Sequence, residues 1–200
     1  SESSLKIPIK FVLMEGEFGD AVELHFGSMA PGGYAWVFPK ERGANIGLGI
    51  QNKFSKDRNL NSLADEFISN YEGDITFRGA GSLPMSGSIK QFVKENHLLV
   101  GDSAGMVLPS NGAGITIAMV GGRIAGQTIV SHLDEGTSLH EYEREWKRQM
   151  GSVMRNSKLS FNIGSWIMRF PDWVLNLAFN PVTKPFVWRF ITCRKPFFIF

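Results

Sequence analysis

Leu98-Leu99-Val100-Gly101-Asp102-Ser103-Ala104-Gly105, followed by Pro109 and by Gly112-Ala113-Gly114-Ile115, decides how this chain is read. The apolar run predicts a buried strand that ends in Gly-Asp, then a tight loop, then a helix opening on glycines near Gly112. That order gathers one carboxylate and several uncommitted backbone N–H groups about a point. An ionised Asp102 only accepts hydrogen bonds, so it suits donor hydroxyls, while the helix N-terminus suits an electron-rich carbonyl or phosphate edge. Gly-Asp after a strand is also an ordinary turn, with Asp102 a mere cap. The added Pro109 and Gly-Ala-Gly spacing favours a ligand site.

Working outward, residues 5–50 read as an antiparallel meander. Ile7, Ile9 and Phe11 alternate with Lys6, Pro8 and Lys10, and Val22, Leu24 and Phe26 alternate with Glu23 and His25. Strands over 34–38 and 45–50 flank the turn Lys40-Glu41-Arg42-Gly43. Leu60, Leu63, Ala64, Phe67 and Ile68 predict an amphipathic helix over 60–71, capped by Asn59. A glycine-rich connection holding Gly79, Gly81 and Gly87 leads to a short strand over 97–100. Two helices follow, over 115–133 and 139–154. In the first, Ala118, Gly121, Gly122, Ala125 and Gly126 suit close approach to a sheet or ligand. In the second, Tyr142, Trp146, Met150 and Val153 share one side.

The 200 residues are 43% hydrophobic and 20% charged, which excludes a disordered chain, and a net charge of +2 argues against nucleic acid as a partner. Cys193 is the single cysteine, so no intrachain disulfide forms. His25, His97, His132 and His140 lack metal-ligand spacing, and no nucleophile motif occurs. The chain opens on Ser1-Glu2-Ser3-Ser4 without a signal sequence, and no apolar run reaches the ~20 residues of a membrane span.

The stretch 101–115 resembles the second flavin-binding motif of the hydroxybenzoate-hydroxylase-like flavoproteins. Ala30-Pro31-Gly32-Gly33-Tyr34-Ala35-Trp36-Val37-Phe38-Pro39-Lys40, with Asn45-Ile46-Gly47-Leu48-Gly49, is similar to the geranylgeranyl reductase branch, over roughly residues 5–150. The resemblance implies an FAD-dependent enzyme that saturates isoprenoid double bonds in lipids, with NAD(P)H or ferredoxin as electron donor. It implies that Asp102, beside Gly101, holds the flavin ribityl chain. Gly112, Ala113 and Gly114 would contact the ring, with Pro109 and Ile115 in the same cofactor-binding motif, and Tyr34, Trp36, Phe38 and Pro39 would line the substrate cavity. Ala113 stands where the family usually has a third glycine. No proton donor is assigned.

The implied fold is α+β: an antiparallel substrate sheet (1–90), the last strand and helix of a Rossmann-like FAD-binding domain (91–133), and C-terminal helices (134–200). No Gly-x-Gly-x-x-Gly is present, since Gly47-Leu48-Gly49, Gly79-Ala80-Gly81 and Gly112-Ala113-Gly114 all lack the third glycine. A missing N-terminal dinucleotide-binding half is therefore an expected partner, and the chain reads as a C-terminal fragment, inactive alone. Residues 161–200 carry Arg169, Lys184, Arg189, Arg194 and Lys195 against Asp172, with Trp166, Trp173 and Trp188 among them. That mixture suits either packing on the enzyme body or a membrane interface, so the expected location is cytoplasmic, peripheral on the membrane face. A flavin hydroxylase or a quinone-linked dehydrogenase on the same scaffold is the alternative within enzymes, and a non-catalytic lipid-binding module the alternative outside them.

Overall fold

The computed structural model describes residues 5–55 and 57–178, with Thr183, Pro185 and Arg189 besides. Lys184, Trp188, Cys193, Arg194 and Lys195 lie outside the described residues. The fold is α+β and forms two compact units. The first is built on residues 7–83 with 165–178, the second on 84–164. The resemblance implies boundaries at 90 and 133; in the structure the long helix after 139 groups with the Asp102 segment.

In the first unit, strands β1 (Lys6–Glu15), β2 (Glu23–His25), β3 (Tyr34–Lys40) and β4 (Gly43–Gly49) are followed by helix α1 (Leu60–Ile68) and strand β5 (Asp74–Pro84). The sheet order is β2-β3-β4-β1-β5. The pair Lys40↔Gly43 leaves a two-residue hairpin at Glu41-Arg42. One sheet face is closed by α1: Val12, Met14, Ala35, Val37, Ala44, Ile46 and Leu48 pack with Leu63, Ala64, Phe67 and Ile68. Asn59 caps α1, its side chain accepting the Ser62 N–H at 2.9 Å.

One sequence expectation changes here. The connection over Gly79 and Gly81 is in fact the 11-residue strand β5. Its glycines are strand-poor by propensity, but Gly79 fits because the Phe11 ring of β1 reaches the space its Cβ would take. The apolar series Ile7, Ile9, Phe11 lies on the sheet face away from α1; Val12 and Met14 supply β1's share of the core beneath α1.

The second unit begins with a small antiparallel hairpin, β6 (Val93–Lys94) and β7 (His97–Leu98). The buried strand expected over 97–100 is instead this short, half-exposed arm, with Leu99 exposed. Helix α2 (Ile115–Glu135) ends on Gly136 in the left-handed conformation, whose N–H bonds His132 O at 3.1 Å. Helix α3 (Glu141–Ile167) runs well past the expected end at 154. Helix α4 (Asp172–Ala178) belongs to the sheet unit, where Asp172 accepts from Ser28 N (3.0 Å) and Ser28 Oγ (2.7 Å).

The core of this unit joins Phe92, Val93, Ala104, Met106 and Leu108 to Ile117, Ile124 and Ala125 of α2 and to Tyr142, Trp146 and Met154 of α3. Gly121 makes the crossing possible, since a Cβ there would lie 2.5 Å from Met106 Sδ. Two polar contacts fix the hairpin to α3. Tyr142, pushed up to about 12 by burial, donates its hydroxyl to Leu99 O at 3.0 Å. Glu143 Oε1 accepts the N–H groups of Phe92 (2.7 Å) and Val93 (3.0 Å). Burial raises the Glu143 carboxyl, but these donors and His140 outweigh it and hold it below its ordinary value.

A depressed folded-state value means that Glu143 stabilises the fold above the ordinary carboxylate value, and that this contribution drains away as pH falls below about 4.5. Glu143→Leu is expected to cost about 1–3 kcal/mol at neutral pH, by stranding two backbone donors. Thermal melts from neutral to acidic pH should show the variant and parent converging in acid.

Candidate functional site

The turn after Val100 is wound tightly. Gly101 (φ 68°) opens a 3-10 turn over Gly101–Ala104, and Gly105 (φ 63°) closes it. The N–H groups of Gly105 and Met106 return to Asp102 O and Gly101 O, each at 3.0 Å. Gly105 has no alternative, because a Cβ would run into Gly87 O. This turn lies against the start of α2: a Cβ on Gly101 would be 3.7 Å from Ala118 Cβ, and one on Gly114 would be 3.7 Å from Asp102 Oδ1. The exposed carboxylate and the helix N-terminus therefore share one small surface.

The loop between them is self-bonded. Leu108 N–H reaches Ala113 O at 2.9 Å, Gly112 N–H reaches Leu108 O at 2.8 Å, and Ala113 N–H reaches Asn111 Oδ1 at 3.0 Å. Pro109 is fully buried. Helix α2 thus starts at Ile115 with Gly114 as its N-cap, not near Gly112, and the amides of Gly112 and Ala113 are consumed inside the loop. The N–H groups of Ile115, Thr116 and Ile117 find no acceptor among the described residues, and Gly114 offers no side-chain cap. Ala113 keeps a negative φ, so alanine fits without the strain a left-handed residue would carry. An acceptor-only carboxylate beside uncommitted N–H groups can grip a ligand that presents hydroxyls and an electron-rich edge.

In the sheet unit, cross-strand registers set side chains in rows on the face away from α1. Tyr34, Gly49 and Ile9 form one row; Trp36, Gly47 and Phe11 the next; Phe38, Asn45 and Leu13 the third. Gly47 lets two rings converge, since its Cβ would lie 2.5 Å from Phe11 Cβ and 2.6 Å from Trp36 Cζ2. The indole is further fixed by Nε1–H donating to Asn45 Oδ1 at 2.7 Å, with Tyr34 and Phe38 centroids at 5.8 and 5.9 Å. Burial raises the Tyr34 phenol. Tyr34, Trp36 and Phe38 are together on this face, as the alternation required. Pro39 is not: paired with Ala44, it falls on the face of Ala35 and Val37, because side chains alternate along a strand. Asn45, Phe11 and Gly47 belong to the aromatic face and escaped sequence reasoning, since only the registers bring them beside Trp36. Among the described residues no metal-ligand cluster occurs, and His25 is occupied by Glu23 Oε2 at 2.9 Å.

Residues 6–80 match the family described as geranylgeranyl reductase catalytic domain. Digeranylgeranylglycerophospholipid reductase 2 of Methanothermobacter thermautotrophicus is 36% identical over 144 residues, covering 69% of this chain and 37% of that protein. The Methanocaldococcus jannaschii digeranylgeranylglycerophospholipid reductase is 38% identical over 140 residues, covering 64% and 35%. The chain therefore spans little more than a third of these curated relatives. Among solved structures, a geranylgeranyl bacteriochlorophyll reductase-like protein from Thermoplasma acidophilum superposes with a TM-score of 0.77 at 24% identity, over 90% of this chain and 48% of that one. A flavin-dependent halogenase from Brevundimonas gives 0.59 at 16% identity, over 92% and 37%. At these identities the likeness to both concerns the fold.

Gly47→Val is expected to push Trp36 and Phe11 apart, costing about 1–3 kcal/mol. Asn45→Leu should leave the fold standing but move the Trp36 indole N–H resonance, read by NMR against Trp36→Phe for assignment.

Proposed function

We propose, from the geranylgeranyl reductase family to which this chain belongs, that it serves an FAD-dependent reductase saturating C=C bonds in the isoprenoid chains of a lipid. The juxtaposition of Asp102 with the open first turn of α2 carries this reading, since Oδ1 lies 3.7 Å from a would-be Gly114 Cβ. The residues fit the cofactor: the glycine-walled turn leaves room, Asp102 accepts from ribityl hydroxyls, and the amides of Ile115–Ile117 take the electron-rich edge of the ring system. FAD, when bound, supplies the hydride for one alkene carbon, and a proton completes the other.

The sheet unit's contribution is apolar. A prenyl chain offers no polar handle, so its recognition needs area, and Tyr34, Trp36, Phe38, Ile9 and Phe11 provide a continuous hydrophobic face. Asn45 satisfies the indole N–H, which keeps that face free of an unpaired donor.

The adenine half of the cofactor calls for a dinucleotide-binding partner segment, which this sequence does not contain. Support comes from α2, where Ile115 (81% exposed), Met119 (69%), Val130 (57%) and Leu133 (76%) recur with Gly122 and Gly126 at spacings of three and four residues. Peripheral contact with a membrane is part of the proposal. Among the described residues Trp166 and Trp173 are largely exposed, beside Arg169, and no helix is long and apolar enough to cross a bilayer.

The test uses the full-length protein with its dinucleotide-binding segment. It should purify yellow and, supplied with NAD(P)H or reduced ferredoxin, add hydrogen to prenyl double bonds as read by lipid mass spectrometry. Asp102→Ala should weaken FAD binding about tenfold, the worth of one charge-assisted hydrogen bond. Oxygen-dependent hydroxylation of substrate, or quinone reduction without saturation, would assign the scaffold to another flavin chemistry. A colourless protein that binds liposomes would leave only a lipid-binding module.

A further inference from the structure

Ser157 sits on α3, outside every motif quoted above, and its side chain is wholly buried. Its Oγ accepts the N–H of Ser110 at 3.0 Å and lies 3.0 Å from Ser110 Oγ. Ser110 follows Pro109 in the self-bonded loop that delivers the chain to Gly114. Along α3 the inward side chains change from large to small: Tyr142, Trp146 and Met154 fill the apolar core, then Ser157 and Ser160 take their place. The change falls where the helix meets this loop.

The loop moves as one piece because Leu108 bonds both Gly112 and Ala113. A displacement at Ser110 is therefore passed on to Gly114 and to the first-turn amides of α2, whose helix begins with Ala118 N–H on Gly114 O at 2.8 Å. We infer that Ser157 is a positioning residue for the flavin site: by holding Ser110 from behind, it sets where the open amides of α2 stand relative to Asp102. This rests on the flavin reading proposed above. The Ser157 hydroxyl supplies this acceptor in a partly buried setting, and an apolar side chain there would remove it.

Ser160 supplies a matched control. It lies on the same face one turn later, nearly as buried, but its hydroxyl has no partner among the described residues. Ser157→Ala and Ser160→Ala thus delete the same atom from the same helix, and only the first cuts a bond to the loop.

The full-length protein is the material. FAD affinity is read by flavin fluorescence, the flavin reduction potential by dye equilibration, and backbone amide exchange over 108–117 by mass spectrometry. Ser157→Ala is expected to weaken FAD about tenfold, to make the flavin harder to reduce, and to speed exchange in the loop and first turn. Ser160→Ala should leave all three at the parent values. An unchanged potential and affinity in Ser157→Ala, with the parent holding FAD, overturns the positioning role alone. Equal effects from both variants overturn it too, by showing a general response of α3. A parent that binds no FAD overturns the flavin reading and this role with it.

Discussion

The absence of a Cβ at a few positions is the constraint on which the rest of this molecule depends. Gly114 leaves room for Val107, whose Cγ2 a Cβ there would meet at 3.2 Å, and Gly105 lets the preceding turn close against Gly87. Gly121 lets Met106 and Trp146 reach α2. In the other unit Gly47 admits Trp36 and Phe11 to the same square of sheet, and Gly79 admits Phe11 again from the β5 side. Within a helix or strand a glycine lowers propensity by up to about 1 kcal/mol, and at Gly121, Gly47 and Gly79 this is offset by the large side chain allowed to approach.

The helix α2 shows where that balance has been left open. An N-cap serine or aspartate at Gly114 would satisfy a first-turn amide and add about 0.5–2 kcal/mol. Glycine forgoes this, and Asp102, a dozen residues earlier in sequence, stands beside the turn without capping it. Consistency across levels of structure tends to break at functional sites, and the uncapped first turn beside a carboxylate accords with the flavin site proposed there. Contrast α1, a helix that only closes a core: there Asn59 caps the first turn in the standard way.

Much of this was legible in the sequence. Strands β3 and β4, helices α1 and α2, the α+β class and the aromatic row Tyr34-Trp36-Phe38 all follow from periodicity, capping and turn residues. What escaped has physical causes. Strand β5 carries Gly79, Gly81 and Pro84, which lower strand propensity, and it is made a strand by pairing with β1. Helix α2 starts at Ile115, as its periodicity requires, but the Leu108–Ala113 loop uses the amides of Gly112 and Ala113 for itself, which no local pattern announces. Pro39 was grouped with its neighbours in a motif, although alternation alone sends it to the other face. Glu143, Asn45 and Ser157 were unreadable in role, since each acts on a backbone or side chain brought near by the fold.

Under the proposed function, the two units meet opposite chemical demands. Around Asp102, polar groups are left unpaired, because a ligand with hydroxyls and carbonyls can satisfy them and derive its orientation from doing so. On the aromatic face, polar groups must be paired from within, because a hydrocarbon chain can satisfy none. An indole N–H left open beside such a chain would cost on the order of 1–3 kcal/mol. Asn45 removes that cost with one 2.7 Å bond, and it does so from β4, where Gly47 gives the indole its place. Trp36 is thereby made apolar in effect while remaining rigid in orientation, as its proposed role as a wall for a prenyl chain would require.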